Sequence, residues 1–133
     1  MAGKKLLLKY DEIQRMLISL KTKVADIIKN NASDEEKKSG LCAITKNAND
    51  LILDAKKIYY DAKSTKNESD FELTKYLLIK CVQFTNEIYS NMVSIVEKDE
   101  PFMAFRYDGV MRVNDNYIAQ LKNEKIETNV KFY

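Results

Sequence analysis

Apolar residues recur every three or four positions along four segments of the chain, and polar residues fill the positions between them. This spacing matches the 3.6-residue turn of an α-helix and places the apolar side chains of a segment on one face. It predicts helices over about residues 6–30, 34–63, 70–98 and 101–125, followed by a tail at 126–133. Because only short polar breaks separate them, the predicted fold is all-α, an antiparallel up-down four-helix bundle.

Local capping signals support these boundaries. Ser33 and Glu36 form an S-x-x-E sequence at the start of the second segment. Ser69 and Glu72 repeat that spacing before the third segment. In such a capping box each of the two side chains accepts a backbone N–H that the first turn would leave unpaired. Pro101 suits the first turn of the fourth helix, whose apolar residues are Phe102, Phe105, Val110, Val113, Tyr117 and Leu121.

The third predicted helix carries two apolar stripes instead of one. The first consists of Leu73, Leu77, Cys81, Phe84, Ile88 and Ile95. The second lies about a third of a turn away and consists of Phe71, Leu78, Val82, Tyr89, Val93 and Val96. A bundle helix needs an apolar face only a little wider than 100°. Two interpretations stay open: the second stripe is an oligomer or partner interface, or this helix is the best-buried helix of the bundle.

Composition is typical of one folded domain. The chain has 133 residues, and its apolar content of 45% is too high for a disordered segment. One proline and three glycines suit long helices. After Lys4 and Lys5, an apolar run of only Leu6–Leu8 is too short for a signal peptide or a membrane span. We therefore expect a cytoplasmic protein with no membrane contact, in which Cys81 is a buried core residue.

The sequence contains none of the recognisable residue patterns that carry most enzyme chemistry. The chain has no histidine, and its three glycines are isolated, so no phosphate-binding loop is formed. Asp50, Asp54 and Asp61 share one face of the second helix with lysines, which favours a solvated, charge-balanced surface. We predict no catalytic residue, no metal site, no cofactor and no enzymatic activity.

Basic residues are concentrated near the start of the chain. The first 31 residues contain seven basic and three acidic side chains, a balance of +4 in a chain whose net charge is +2. The predicted nucleic-acid-binding residues are Lys5, Lys9, Arg15, Lys21, Lys23, Lys29, Arg106 and Arg112. The lysines scatter around the non-core arc of the first helix, so a purely solubilising role remains an alternative to phosphate contacts.

Several stretches carry a family resemblance: Tyr10-Asp11-Glu12-Ile13, Lys46-Asn47-Ala48-Asn49-Asp50-Leu51-Ile52, Tyr59-Tyr60, Phe71 to Leu77, and a shorter helix around Tyr107 to Leu121. In their order and spacing they resemble the four-helix-bundle proteins encoded in ribosomal-RNA intervening sequences. The accessory variability determinant of diversity-generating retroelements is a relative of that family. The resemblance implies a ring-like homo-oligomer without catalytic activity, which binds nucleic acid and supports a reverse transcriptase.

Two functions therefore compete at this point. The first is a non-enzymatic, homo-oligomeric accessory protein that binds RNA or DNA. The second is a protein-binding adaptor or inhibitor, a phage, viral or host factor, that uses the second stripe of the third helix to hold a partner helix.

Overall fold

A computed structural model describes residues 2–126 of the chain, with side chains from Lys4 onward. It contains four helices and, within those residues, no strand. The helices are α1 (Ala2–Lys29), α2 (Asp34–Thr65), α3 (Glu68–Val96) and α4 (Pro101–Asn123). The predicted all-α bundle is confirmed. Residues 127–133, most of the predicted tail, lie outside the described residues.

The caps explain where the helices begin, and one predicted cap is wrong. Ser33 is extended, and its hydroxyl oxygen accepts the N–H of Glu36 at 3.2 Å, as predicted. Ser69, in contrast, lies inside α3. The cap there is Asn67, whose side-chain oxygen accepts the N–H of Asp70 at 3.1 Å. Asparagine caps as well as serine does, so the helix starts at the first suitable residue.

The helices alternate in direction, and α2 and α3 form the central pair. α1 packs against α2 and along a shorter length of α3, whereas α4 packs against α3. Side chains also join α4 to α2: the ammonium of Lys56 lies 5.1 Å from the centre of the Tyr117 ring. Glu100, just before α4, forms a 2.6 Å ion pair with Lys38 of α2. α1 and α4 do not pack against each other in the part of the chain that the structure describes. α1 and α4 therefore pack separately on the central hairpin formed by α2 and α3.

One hydrophobic core runs through the bundle, and the second stripe of α3 belongs to it. Phe71, Leu78, Val82 and Val96 are buried within one chain, while Tyr89 and Val93 are half-buried. The ring of Phe71 stacks on Tyr59 of α2 at 5.2 Å, and the ring of Tyr89 lies 5.6 Å from Tyr107 of α4. The interface predicted along this stripe is thus corrected: α2 and α4 cover it, and α3 is the best-buried helix.

α4 turns a different face to the core than its apolar residues predict. Of the six apolar residues named above, only Leu121 is buried; Ala104 and Ile118 join it on the inner face. Since the backbone of α4 packs closely against α3 alone, a narrow stripe of small and aliphatic residues is enough for this contact. No helix within residues 2–126 has the length and apolar content needed to cross a membrane.

Candidate functional site

The basic residues predicted to bind nucleic acid are all exposed, but the structure does not bring them together. Six of them lie on α1, where at 100° per residue Arg15 and Lys29 share one line and Lys5 and Lys23 share another. Acidic side chains lie between these lines. Arg106 and Arg112 lie on α4, which α1 does not contact in the described part of the chain. These residues therefore form no single basic patch.

A basic groove that the sequence pattern does not predict lies between α3 and α4. Its volume is about 450 Å³, within the range of ligand-binding clefts. The lining residues are Glu72, Lys75, Tyr76, Ile79, Lys80, Gln83 and Lys122. Three lysines and one glutamate make the groove positive. Tyr76 is 55% exposed, and the Lys80 ammonium lies 4.7 Å from the centre of its ring.

The three lysines of this groove differ in what they already contact. Lys75 is buried; its ammonium donates to the backbone oxygen of Glu124, pairs with Glu72 at 3.4 Å and lies over the ring of Phe71. These contacts hold the end of α4 against α3, so Lys75 has a structural role. Lys122 is exposed, and Lys80 is partly exposed. Lys80, Lys122 and Tyr76 are the groove residues that can reach a ligand.

The sequence did contain one signal for this groove. Tyr76 lies on neither apolar stripe of α3 and is followed four residues later by Lys80, a spacing at which helix side chains meet. Lys122 comes from another helix, and only the packing of α4 brings it close. The spacing of residues along the chain does not predict that Lys122 lies near Tyr76 and Lys80.

A second set of polar side chains, buried or partly buried, lies where α2 and α4 end. Lys63 and Glu124 form an ion pair there. The hydroxyl groups of Tyr59 and Tyr117 are buried without a hydrogen-bond partner among the described residues. Burial raises the pKa of Tyr117 to about 12. Burial, and then the nearby carboxylate of Glu124, also raise the pKa of Tyr59. Both hydroxyls therefore stay neutral at physiological pH.

The outer face of α4 is apolar and exposed. We define it by Phe102, Phe105, Gly109 and Val113, which follow one another in steps of three and four residues. Phe102 is 70% exposed, and Phe105 and Val113 are each 67% exposed. A β-carbon added at Gly109 would meet no atom within 4 Å. Aromatic residues are enriched at protein interfaces, so this face is a candidate binding surface.

The acidic and cysteine side chains of the described residues do not gather at one site. No group of three or more potential metal-ligating side chains comes together within them. Asp50, Asp54 and Asp61 are exposed along α2. Cys81 is buried, as predicted, and burial raises its pKa to about 12, so its thiol stays protonated and unreactive. Cys42 is exposed.

Comparison of the chain with protein-family models, with curated proteins and with solved structures finds no match.

Proposed function

We propose that this protein is a non-enzymatic, homo-oligomeric helical bundle that acts as a nucleic-acid-binding accessory protein. The observation that carries the proposal is the groove between α3 and α4, where Lys80 and Lys122 lie beside the exposed ring of Tyr76. Ammonium groups neutralise phosphates, and an exposed tyrosine ring stacks on an unpaired base. The groove therefore favours a single-stranded segment of RNA or DNA over a duplex.

The basic residues of α1 have a supporting role in this proposal. Their side chains are exposed and outnumber the acidic ones, so they add a long-range attraction for a polyanion. A reverse transcriptase as the protein partner is proposed on the family resemblance alone. No residue of the groove bears on that partner.

A direct test is fluorescence anisotropy with labelled single-stranded 20-mers of RNA and DNA. We expect binding that weakens about sevenfold between 50 and 200 mM salt, because about two phosphate contacts, those of Lys80 and Lys122, release their counterions. The double variant Lys80→Glu with Lys122→Glu should lose most of the binding. Tyr76→Leu should weaken it by about tenfold, through the lost base stacking.

The matched control is Lys46→Glu with Lys98→Glu, which changes the net charge equally at two exposed lysines outside the groove. This variant should keep most of the affinity of the parent protein. If neither RNA nor DNA binds at 50 mM salt, or if both double variants lose the same affinity, the nucleic-acid proposal is wrong.

A second candidate function is that of a protein-binding adaptor or inhibitor. The outer face of α4 favours it, because two phenylalanines on one exposed helix face are typical of a surface that a partner covers. In this form the hypothesis no longer depends on the second stripe of α3, which is part of the core.

A further inference from the structure

One glutamate lines the basic groove between α3 and α4, although a carboxylate repels the phosphates of a nucleic acid. Glu72 is exposed and precedes Tyr76 by four residues, as Tyr76 precedes Lys80. Side chains at this spacing are neighbours on a helix face, about 6 Å apart along the axis. A carboxylate, an aromatic ring and an ammonium group therefore follow one another along one wall of the groove.

The carboxylate of Glu72 is held at one oxygen only. The buried ammonium of Lys75 pairs with Oε1 of Glu72 at 3.4 Å and also donates to the backbone oxygen of Glu124. Oε2 of Glu72 makes no hydrogen bond or ion pair with the described residues, and the side chain is 61% exposed. Glu72 is therefore an anchored side chain with one acceptor oxygen left for a ligand in the groove.

The ring of Tyr76 leaves one of its faces to a ligand, on the side of this acceptor. The Lys80 ammonium lies over the other face, 4.7 Å from the ring centre. Side chains of a helix lean toward its N-terminus, so Lys80 reaches Tyr76 from the C-terminal side and the second face of the ring is turned toward Glu72. A base stacked on that face has its edge within reach of the Glu72 carboxylate.

A carboxylate at the edge of a base distinguishes amino groups from carbonyl oxygens. An ionised glutamate only accepts hydrogen bonds. Cytosine, adenine and guanine each carry an exocyclic amino group that donates, and glutamate accepts from the N4 amino group of cytosine. Uracil has a carbonyl oxygen in place of that amino group, and this oxygen repels a carboxylate. The groove therefore carries a means of selecting between bases as well as of binding phosphates.

From this arrangement we infer that Glu72 determines the base specificity of the groove, and that the base stacked on Tyr76 carries an exocyclic amino group, so that cytosine binds in preference to uracil. This inference rests on the proposed function, because it names the base that the same groove binds. It gives Glu72 a role that the attraction of phosphates does not. The alternative is that Glu72 serves only as the partner of Lys75.

Fluorescence anisotropy with labelled octamers of cytidine and of uridine tests the preference, because the two pyrimidines are alike in size. At 50 mM salt and neutral pH the parent protein should bind the cytidine octamer about three- to tenfold more tightly, the value of one hydrogen bond. An octamer of 2-pyrimidinone riboside, which is cytidine without its amino group, should bind as weakly as the uridine octamer. Equal binding of all three octamers, or tight binding of the pyrimidinone octamer, overturns the inference.

The variant Glu72→Gln tests the residue itself. An amide accepts from cytosine and also donates to uracil, so the preference should fall below about twofold. The amide oxygen can still pair with Lys75, and the variant should be as helical as the parent protein by circular dichroism. The matched control is Glu97→Gln, which removes the same charge at an exposed glutamate just after α3 and should keep the preference. A preference that persists in Glu72→Gln, or that both variants lose equally, means that Glu72 does not read the base.

Failure of this inference and failure of the proposed function give different results. If both octamers bind with equal affinity and the double variant Lys80→Glu with Lys122→Glu loses both, only the inference is wrong. If neither octamer binds the parent protein at 50 mM salt, and the longer RNA and DNA strands do not bind either, the proposed function and the inference are both wrong.

Discussion

Gly109 and Gly40 both lie inside helices, but their surroundings differ. A β-carbon at Gly109 would point into open space, whereas one at Gly40 would come within 2.9 Å of the Cδ1 atom of Ile27 on α1. Glycine in a helix interior costs about 1 kcal/mol relative to alanine. Replacing Gly40 would remove this cost but would also disturb the close packing of α1 on α2. Replacing Gly109 would disturb no such packing.

We expect Gly109→Ala to raise the free energy of unfolding by about 0.5–1 kcal/mol, because it removes the helix cost and meets no steric obstacle. Thermal unfolding followed by circular dichroism should show a midpoint higher by roughly 2–4 °C. Gly40→Ala should gain less, since Ile27 must move. An equal gain in both variants would contradict this explanation.

At the scale of single helices, the sequence predicts the existence and number of the elements well. The three-four spacing depends only on local geometry, which is why α2 is predicted to within two residues. This spacing does not predict which residue caps α3 or which face of α4 is buried. Asn67 and Ser69 are both good caps, and only the folded backbone decides between them. The inner face of α4 depends on how few helices it packs against.

The correct cap of α3 can be tested directly. Asn67→Ala should lower the free energy of unfolding by about 1 kcal/mol, because the N–H of Asp70 loses its acceptor. Ser69→Ala removes a hydroxyl from an exposed position inside the helix. It should change the free energy of unfolding by less than about 0.5 kcal/mol. Urea denaturation of the two variants and the parent protein measures both changes in the free energy of unfolding. A larger loss in Ser69→Ala would restore the predicted capping box.

At the scale of the whole molecule, the buried hydroxyls and thiol link stability to pH. Tyr59, Tyr117 and Cys81 all have raised pKa values, chiefly because burial disfavours their charged forms. A raised pKa stabilises the fold fully below the ordinary pKa of the group, about 10 for tyrosine, and loses that contribution as the pH rises above it. The bundle should therefore become less stable in alkaline solution.

We expect the thermal midpoint to fall by roughly 5 °C or more between pH 8 and pH 10.5. Tyr59→Phe should be at least as stable as the parent protein at pH 8, because the hydroxyl it removes has no hydrogen-bond partner among the described residues. Its midpoint should also fall less at pH 10.5. An identical fall in both proteins would show that Tyr59 does not contribute.

The candidate sites show why a fold is easier to predict from this sequence than a function. A helix is specified by neighbours three and four residues apart, whereas the groove joins Lys80 and Lys122, which are 42 positions apart in the sequence. Six of the eight predicted basic residues are selected only by the density of basic residues in one stretch of chain. The structure spreads them around α1 and separates them from the arginines of α4, so their number does not define a site.

The separation of α1 from α4 also bears on how the native state opens. Each outer helix can detach from the α2–α3 hairpin while the other stays in place, because they share no contact in the described chain. Local opening of this kind occurs in cooperative units of unequal stability. Backbone amides of α2 and α3 should accordingly exchange with deuterium last. Those of α4, which packs closely against α3 and meets α2 only through side chains, should exchange earlier.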